Sequence, residues 1–178
     1  NVVGADNYDN NYQYDGADSG YAIPMMDSVA QANAFVADSY ESLEAVGFYT
    51  YNTNVNYEVR IYENLQSHEA PQYGDLVLTQ TGKETYAGYH TIELTDNVTL
   101  SKGERYAVVI TLTKAGEEVQ VPIDMTVDGD WMQFYSDSEA GQSYFGSSVS
   151  GLYDIYPEGS YNFKIKAFTN EIPEETLM

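Results

Sequence analysis

Along most of this chain apolar and polar residues alternate with the two-residue period of a β-strand. In NYEVRIYENL (56–65), Tyr57, Val59 and Ile61 share one face, while Glu58, Arg60 and Tyr62 share the other. Similar runs are ANAFVA (32–37), SLEAVGFYTY (42–51) and TYAGYHTIEL (85–94), the last with His90, Ile92 and Leu94 on one face. After SKGE, Tyr106, Val108, Ile110 and Leu112 alternate with Ala107, Val109, Thr111 and Thr113. Both sets are fairly apolar, which predicts a central strand of a two-sheet core. Ala115 and Gly116 predict a turn into EEVQVPIDMTV (117–127), closing a hairpin, and Pro122 predicts an edge position for part of that strand. YNFKIKAFT (161–169) gives a final strand with Tyr161, Phe163, Ile165 and Ala167 on one side.

Between the runs stand turn-forming residues: Thr95, Asp96 and Asn97, then Ser101, Lys102, Gly103 and Glu104. At most one short helical turn is expected, near 27–33. NVVGADNYDNNYQYDGADSG (1–20) has no sustained apolar period and predicts an ordered lead-in or linker; 170–178 predicts an exit tail. Residues 128–160 are irregular and rich in Gly, Ser, Asp and aromatics. Eight or nine short strands with turn signals every ten or so residues predict an all-β antiparallel sandwich or barrel, in one domain over 21–169.

Composition narrows the picture. A chain of 178 residues with 43% hydrophobic content suits one well-buried core. With 28 acidic and 7 basic residues, the net charge of −21 argues against nucleic acid and anionic membranes as partners. The absence of Cys excludes disulfides, thiolate metal sites and a cysteine nucleophile. No stretch has the roughly 18 consecutive apolar residues of a spanning helix, and no signal peptide opens the chain at Asn1, as expected for a domain whose export signal lies upstream.

Five phrases, in order, carry a resemblance: YDNNYQYDG (8–16), ANAFVADSYESLEAVGFYTYNTNVNYEVRIY (32–62), GYHTIELTDNVTLSKGERYAVVITL (88–112), AGQSYFGS (140–147) and YNFKIKAFT (161–169). Together they resemble the lectin-like domain that follows the papain-type catalytic domain in bacterial and archaeal C1-family cysteine peptidases. The resemblance implies a jelly-roll-like sandwich, an extracellular or cell-surface location and an accessory role beside an upstream peptidase domain. It assigns no binding residue.

Hydrolytic chemistry finds little support. The two histidines, His68 and His90, fall in a loop-like segment and in a strand, and no serine sits in a Gly-x-Ser-x-Gly elbow. The acidic pairs Glu117–Glu118 and Glu174–Glu175 read as solvated. Clustered carboxylates suit Ca²⁺ better. One cluster is Asp6, Asp9, Asp15 and Asp18; the other, around Trp131, is Asp128, Asp130, Asp137 and Glu139, and neither matches an EF-hand loop. Sugar binding joins an aromatic platform to a few polar groups. Trp131 and Tyr135 are the candidate platform, Gln133, Asp130 and Gln142 its polar partners, and Tyr144, Tyr153 and Tyr156 reserves. The Asn97-Val98-Thr99 sequon reads as an ordinary turn. The expectation is therefore a non-catalytic domain that binds cell-surface glycan or protein, the alternative being a structural spacer or adhesin module.

Overall fold

The computed structural model describes residues 8–14, 21–125, 128–129, 132–133, 139–155 and 161–173. Eight strands make its frame: β1 (Asn10–Tyr12), β2 (Tyr21–Val36), β3 (Glu41–Thr50), β4 (Val55–Glu63), β5 (Asp75–Glu84), β6 (Gly88–Leu100), β7 (Arg105–Met125) and β13 (Lys166–Glu171). The remaining strands are β8 (Asp128–Gly129), β9 (Met132–Gln133), β10 (Ser143–Gly146), β11 (Tyr153–Asp154) and β12 (Tyr161–Phe163). Among the described residues one sheet has the order β1-β13-β3-β6 and the other β11-β10-β2-β7-β4-β5, with β12 also on β7.

Within the frame, first pairs with last and so on inward: β1 with β13, β2 with β7, β3 with β6, β4 with β5, all antiparallel. That nesting is a long hairpin rolled into two facing sheets, a jelly roll. The all-β sandwich expected from the period of two is the observed fold.

The period also decides what each strand buries. On β2, Val29 and Phe35 point between the sheets, while Ala30, Ala32 and Ala34 point the other way into a second apolar cluster. On β7, Tyr106, Val108, Ile110 and Leu112 fill the inter-sheet core, and Ala107 and Val109 join the second cluster. Small residues on that outer face let Tyr62, Leu65, Tyr144 and Leu152 pack over it. Arg105 pins this cover: Nη1 donates to the carbonyls of Gln66 (2.6 Å) and Glu69 (2.9 Å), and Nη2 to Gly141 O (2.9 Å) and Tyr144 Oη (2.8 Å).

Several sequence expectations are corrected. The hairpin at Ala115–Gly116 does not form, because β7 continues along β2 on both sides of that point. Residues 114–117 bulge opposite Asp27 alone. Gly116, at φ +76°, supplies the left-handed backbone, and its N–H donates to Asp27 Oδ1 at 2.7 Å. Thr95–Asn97 is likewise no chain reversal: residues 94–97 bulge within β6 opposite Glu44. The helical turn near 27–33 is strand, since pairing with β7 overrides a weak local preference. Residues 161–169 are not one strand; β12 joins the larger sheet and β13 the smaller. Part of the lead-in, Asn10–Tyr12, is edge strand β1, and Glu171 of the predicted tail still pairs in β13. Pro122 is paired with Ala22 on one side; on the other it falls between the end of the β4 ladder at Thr113 and the start of β12 at Ile123. Such a gap suits a residue without an N–H.

Closure of the roll centres on Glu41, whose side chain is wholly buried. Its carboxylate accepts from Tyr12 Oη (2.6 Å), Ser39 Oγ (2.7 Å), Thr169 Oγ1 (2.9 Å) and Asn10 Nδ2 (3.3 Å). Burial and then the bond to Glu41 raise the Tyr12 phenol above its usual range, so it stays protonated and donating.

Replacing Glu41 by Ala strands those donors, at a cost on the order of 1–3 kcal/mol each. Glu41→Ala is therefore expected to lose at least about 3 kcal/mol in urea unfolding, with early amide exchange over Asn10–Tyr12. A loss under about 1 kcal/mol rules out a closing role for Glu41. Tyr106 behaves oppositely: its buried hydroxyl has no hydrogen-bond partner among the described residues. Tyr106→Phe should leave stability unchanged or raise it by about 1 kcal/mol, and a clear loss would reveal a partner the geometry does not show.

Candidate functional site

The outer face of the smaller sheet carries the most developed surface feature. Alternation that sends Val46 and Phe48 of β3 into the core leaves Gly47 and Tyr49 on the other side, paired with Thr91 and Tyr89 of β6. The Tyr49 and Tyr89 rings lie 5.0 Å apart, centroid to centroid. Lys164 Nζ stands 5.6 Å from the centre of the Tyr49 ring and Lys166 Nζ 5.3 Å from that of Tyr89, each within cation–π range. Tyr51 and Tyr86, 46% and 77% exposed, flank the end of the same ladder. Gly47 is needed for the arrangement, since a Cβ there would stand 2.2 Å from Tyr89 Oη. The Tyr89 ring therefore lies across the strand at a place where no side chain lifts it.

Farther along this face the chemistry changes sign. Tyr8 packs on Phe168 with centroids 5.2 Å apart. Its phenol is raised by burial and then by the nearby charges of Glu93 and Glu44. Glu44 also accepts from Asn170 Nδ2 and, at 3.4 Å, from Asn97 Nδ2. One strip thus presents tyrosines and lysines at one end and carboxylates with amides at the other.

Those of the sequence-predicted residues that are described lie away from this strip. Trp131, Tyr135, Asp130, Asp137 and Tyr156 lie outside the described residues, as do Asp6, Asp15 and Asp18. Asp128 and Gln133 are brought together as partners in the β8–β9 pair. Gln142 is committed to its own loop, where Oε1 accepts from the Glu139 N–H at 2.9 Å. Tyr144 is a core residue, 1% exposed and bonded to Arg105, so it cannot serve as a reserve platform. Tyr153 is 43% exposed and packs edge-on against Phe145. Asp9 holds the Glu171 N–H at 2.9 Å. Among the described residues no three His, Asp or Glu side chains are grouped to hold a metal.

A carboxylate, an imidazole and a hydroxyl do meet at one corner of the sandwich. Glu84 Oε2 is 3.1 Å from His90 Nδ1, and Thr50 Oγ1 is 2.9 Å from His90 Nε2. The order is that of a hydrolytic triad, but Thr50 is 1% exposed and the imidazole packs on Phe48. With the hydroxyl shut away from substrate, the trio links β5, β6 and β3 as a structural clamp.

Fold and face together define a jelly-roll sandwich with an aromatic outer strip. The chain belongs to the lectin-like domain family, which it matches over residues 11–169. Among solved structures it is similar to the clostridial cysteine protease Cwp84 after propeptide cleavage, at 25% identity and a TM-score of 0.76, over 92% of this chain and 40% of that one. A second is a crystal structure of the cysteine protease and lectin-like domains of Cwp84, a surface layer associated protein of Clostridium difficile. There the identity is 24% and the TM-score 0.73, over 92% of this chain and 36% of that one. The chain thus spans well under half of either Cwp84 chain. No curated protein sequence matches it.

Gly47→Ala tests the strip directly. The clash falls on the far end of one partly exposed tyrosine, so the melting temperature should move little while the Tyr89 ring shifts. Chemical shifts of Tyr89 and Lys166 should change; unfolding of the variant would instead make Gly47 a requirement of the sheet.

Proposed function

We propose that this is an extracellular, non-catalytic accessory domain that binds a cell-surface glycan and so positions a cysteine peptidase domain joined to it. Geometry along the smaller sheet carries this reading. Asp9 and Glu171 are hydrogen-bonded neighbours, and Glu171 pairs with Glu41 at the start of β3. Any polypeptide joined at either end of the domain is therefore attached at that end. Tyr49 lies eight residues farther along β3, roughly 27 Å away at ~3.4 Å per residue. The domain holds its aromatic strip away from its attachment point, as a presenting module must. Tyrosine rings offer a flat apolar surface to a sugar ring and a hydroxyl at the edge. The family and the similarity to Cwp84, with its cysteine protease and lectin-like domains and its surface-layer association, support the same assignment.

A spacer role has its own support in the cleft of 680 Å³ at the attachment end, where Asp9, Asp38, Lys102 and Glu171 offer polar contacts to a neighbouring domain. A glycan array separates the two readings. Wild type should be retained on a subset of glycans, and the Tyr49→Ala/Tyr89→Ala double variant should lose retention without a change in melting temperature. Loss in Trp131→Ala alone would move the site to the 128–139 segment. Absence of binding by every form leaves the spacer.

A further inference from the structure

The outer face of the larger sheet holds a pocket of its own, remote from the tyrosine strip. On β4, Tyr57, Val59 and Ile61 turn to the inter-sheet core, which leaves Asn56, Glu58 and Arg60 facing outward. Directly opposite residues of paired strands share a face, so two polar rows run across β5, β4 and β7. One is Lys83, Asn56 and Thr113; the other is Thr81, Glu58 and Thr111. All but Thr111 line a depression of 480 Å³, within the range of roughly 300–1,000 Å³ for small-molecule sites. We infer that this pocket binds one terminal sugar residue through its hydroxyls, as a second site on the face of the sandwich opposite the strip.

A merely solvated face would neutralise its charges across the rows. Here Glu58 turns to its own strand, where Oε1 accepts from Arg60 Nε at 2.6 Å, and Arg60 is held on its other side by Tyr62 Oη at 3.4 Å from Nη1. Lys83, one row away, makes no hydrogen bond or ion pair among the described residues. Thr111 Oγ1, beside Glu58, is buried and likewise has no partner among them. The pocket thus offers a fixed carboxylate as acceptor, an ammonium as donor, and an amide and hydroxyls that do both. A sugar hydroxyl also donates and accepts, so a neutral polyol meets every one of these groups. A simple anion would meet Lys83 but be opposed by Glu58, and a cation the reverse. Tyr57, the aromatic residue at the wall, has its ring against Phe48 in the core. With no ring face to lie on, a sugar is held by its hydroxyls alone, which suits a chain end. Such a grip is of millimolar strength, too weak for retention on a washed array.

The test titrates the 178-residue chain with the methyl glycosides of galactose, glucose, mannose and N-acetylglucosamine and follows backbone amides by NMR. At least one should shift amides of 56–58, 81–83 and 111–113, on three paired strands, and leave those of Tyr49 and Tyr89 in place. Glu58→Gln should weaken that binding by about tenfold or more, the worth of one charge-assisted hydrogen bond. Asn56→Ala/Lys83→Ala, which alters two exposed side chains, should abolish it at an unchanged melting temperature. Tyr49→Ala/Tyr89→Ala should respond as wild type does, so failure of the strip and failure of this pocket are told apart. No response to any of the four glycosides, or a response that survives the pocket substitutions, overturns the inference and leaves the strip untouched. Acetate should leave the same amides in place; shifts with acetate equal to those with the glycosides make this a lysine anion site and overturn the hydroxyl reading.

Discussion

A carboxylate removed from water is stable only if other groups replace its hydration, and in this fold Glu41 is such a carboxylate. Its replacement shell is gathered from separate parts of the chain: Asn10 and Tyr12 from β1, Ser39 from the bend before β3, and Thr169 from β13. No local segment could satisfy it. The first and last strands must come together beside β3, in the order β1-β13-β3, which is the condition for closing a rolled hairpin. Tyr12 ties in a further link, because its hydroxyl also accepts the Asp38 N–H at 2.9 Å and its ring meets Tyr106 edge-on at 5.9 Å. Polar satisfaction at Glu41 and packing of the inter-sheet core thus depend on the same placement of β1.

Acidic side chains solve a second problem in the same way. A rolled hairpin needs bent strands, and two of the longest pairs bend at bulges in which four residues face one. The single residue is Asp27 in one case and Glu44 in the other, and each accepts a hydrogen bond from the bulged strand, from the Gly116 N–H and the Asn97 amide. Gln80 helps from β5 across the open edge between the sheets, donating to Glu93 O and accepting from the Thr95 N–H. Part of the unusual acidity of this chain therefore has a local structural use, apart from its effect on solubility.

These bulges explain where the sequence misleads. Thr95-Asp96-Asn97 and Ala115-Gly116 have turn chemistry, and their chemistry is indeed used for tight backbone, but a bulge and a hairpin ask for the same residues. Only the partner strand distinguishes them, and β2, the partner of β7 on both sides of Gly116, lies some 90 residues earlier. The strand faces, by contrast, were legible because the period acts locally: Val59 and Ile61 inward with Glu58 and Arg60 outward, and both faces of 106–112 apolar. Fold class follows from that period; the pairing order does not.

The candidate site shows the limit more sharply. Sequence inspection favours the segment around Trp131 because its aromatics and acids are contiguous, whereas the strip on the smaller sheet comes from β3, β6 and the crossover into β13. In each segment Tyr49, Tyr89, Lys164 and Lys166 look like ordinary outward positions of a half-buried strand. They become a site only because Tyr49 pairs with Tyr89 and Lys166 with Gly47. Gly47 is the one local hint, a residue of low strand preference in the middle of a strand, which is where another group approaches the backbone closely. Here the approaching group is the hydroxyl end of the Tyr89 ring. A surface built this way is rigid before any ligand arrives, since its rings rest on paired strands and its ammonium groups rest on the rings, and a rigid surface gives up little freedom when a ligand binds.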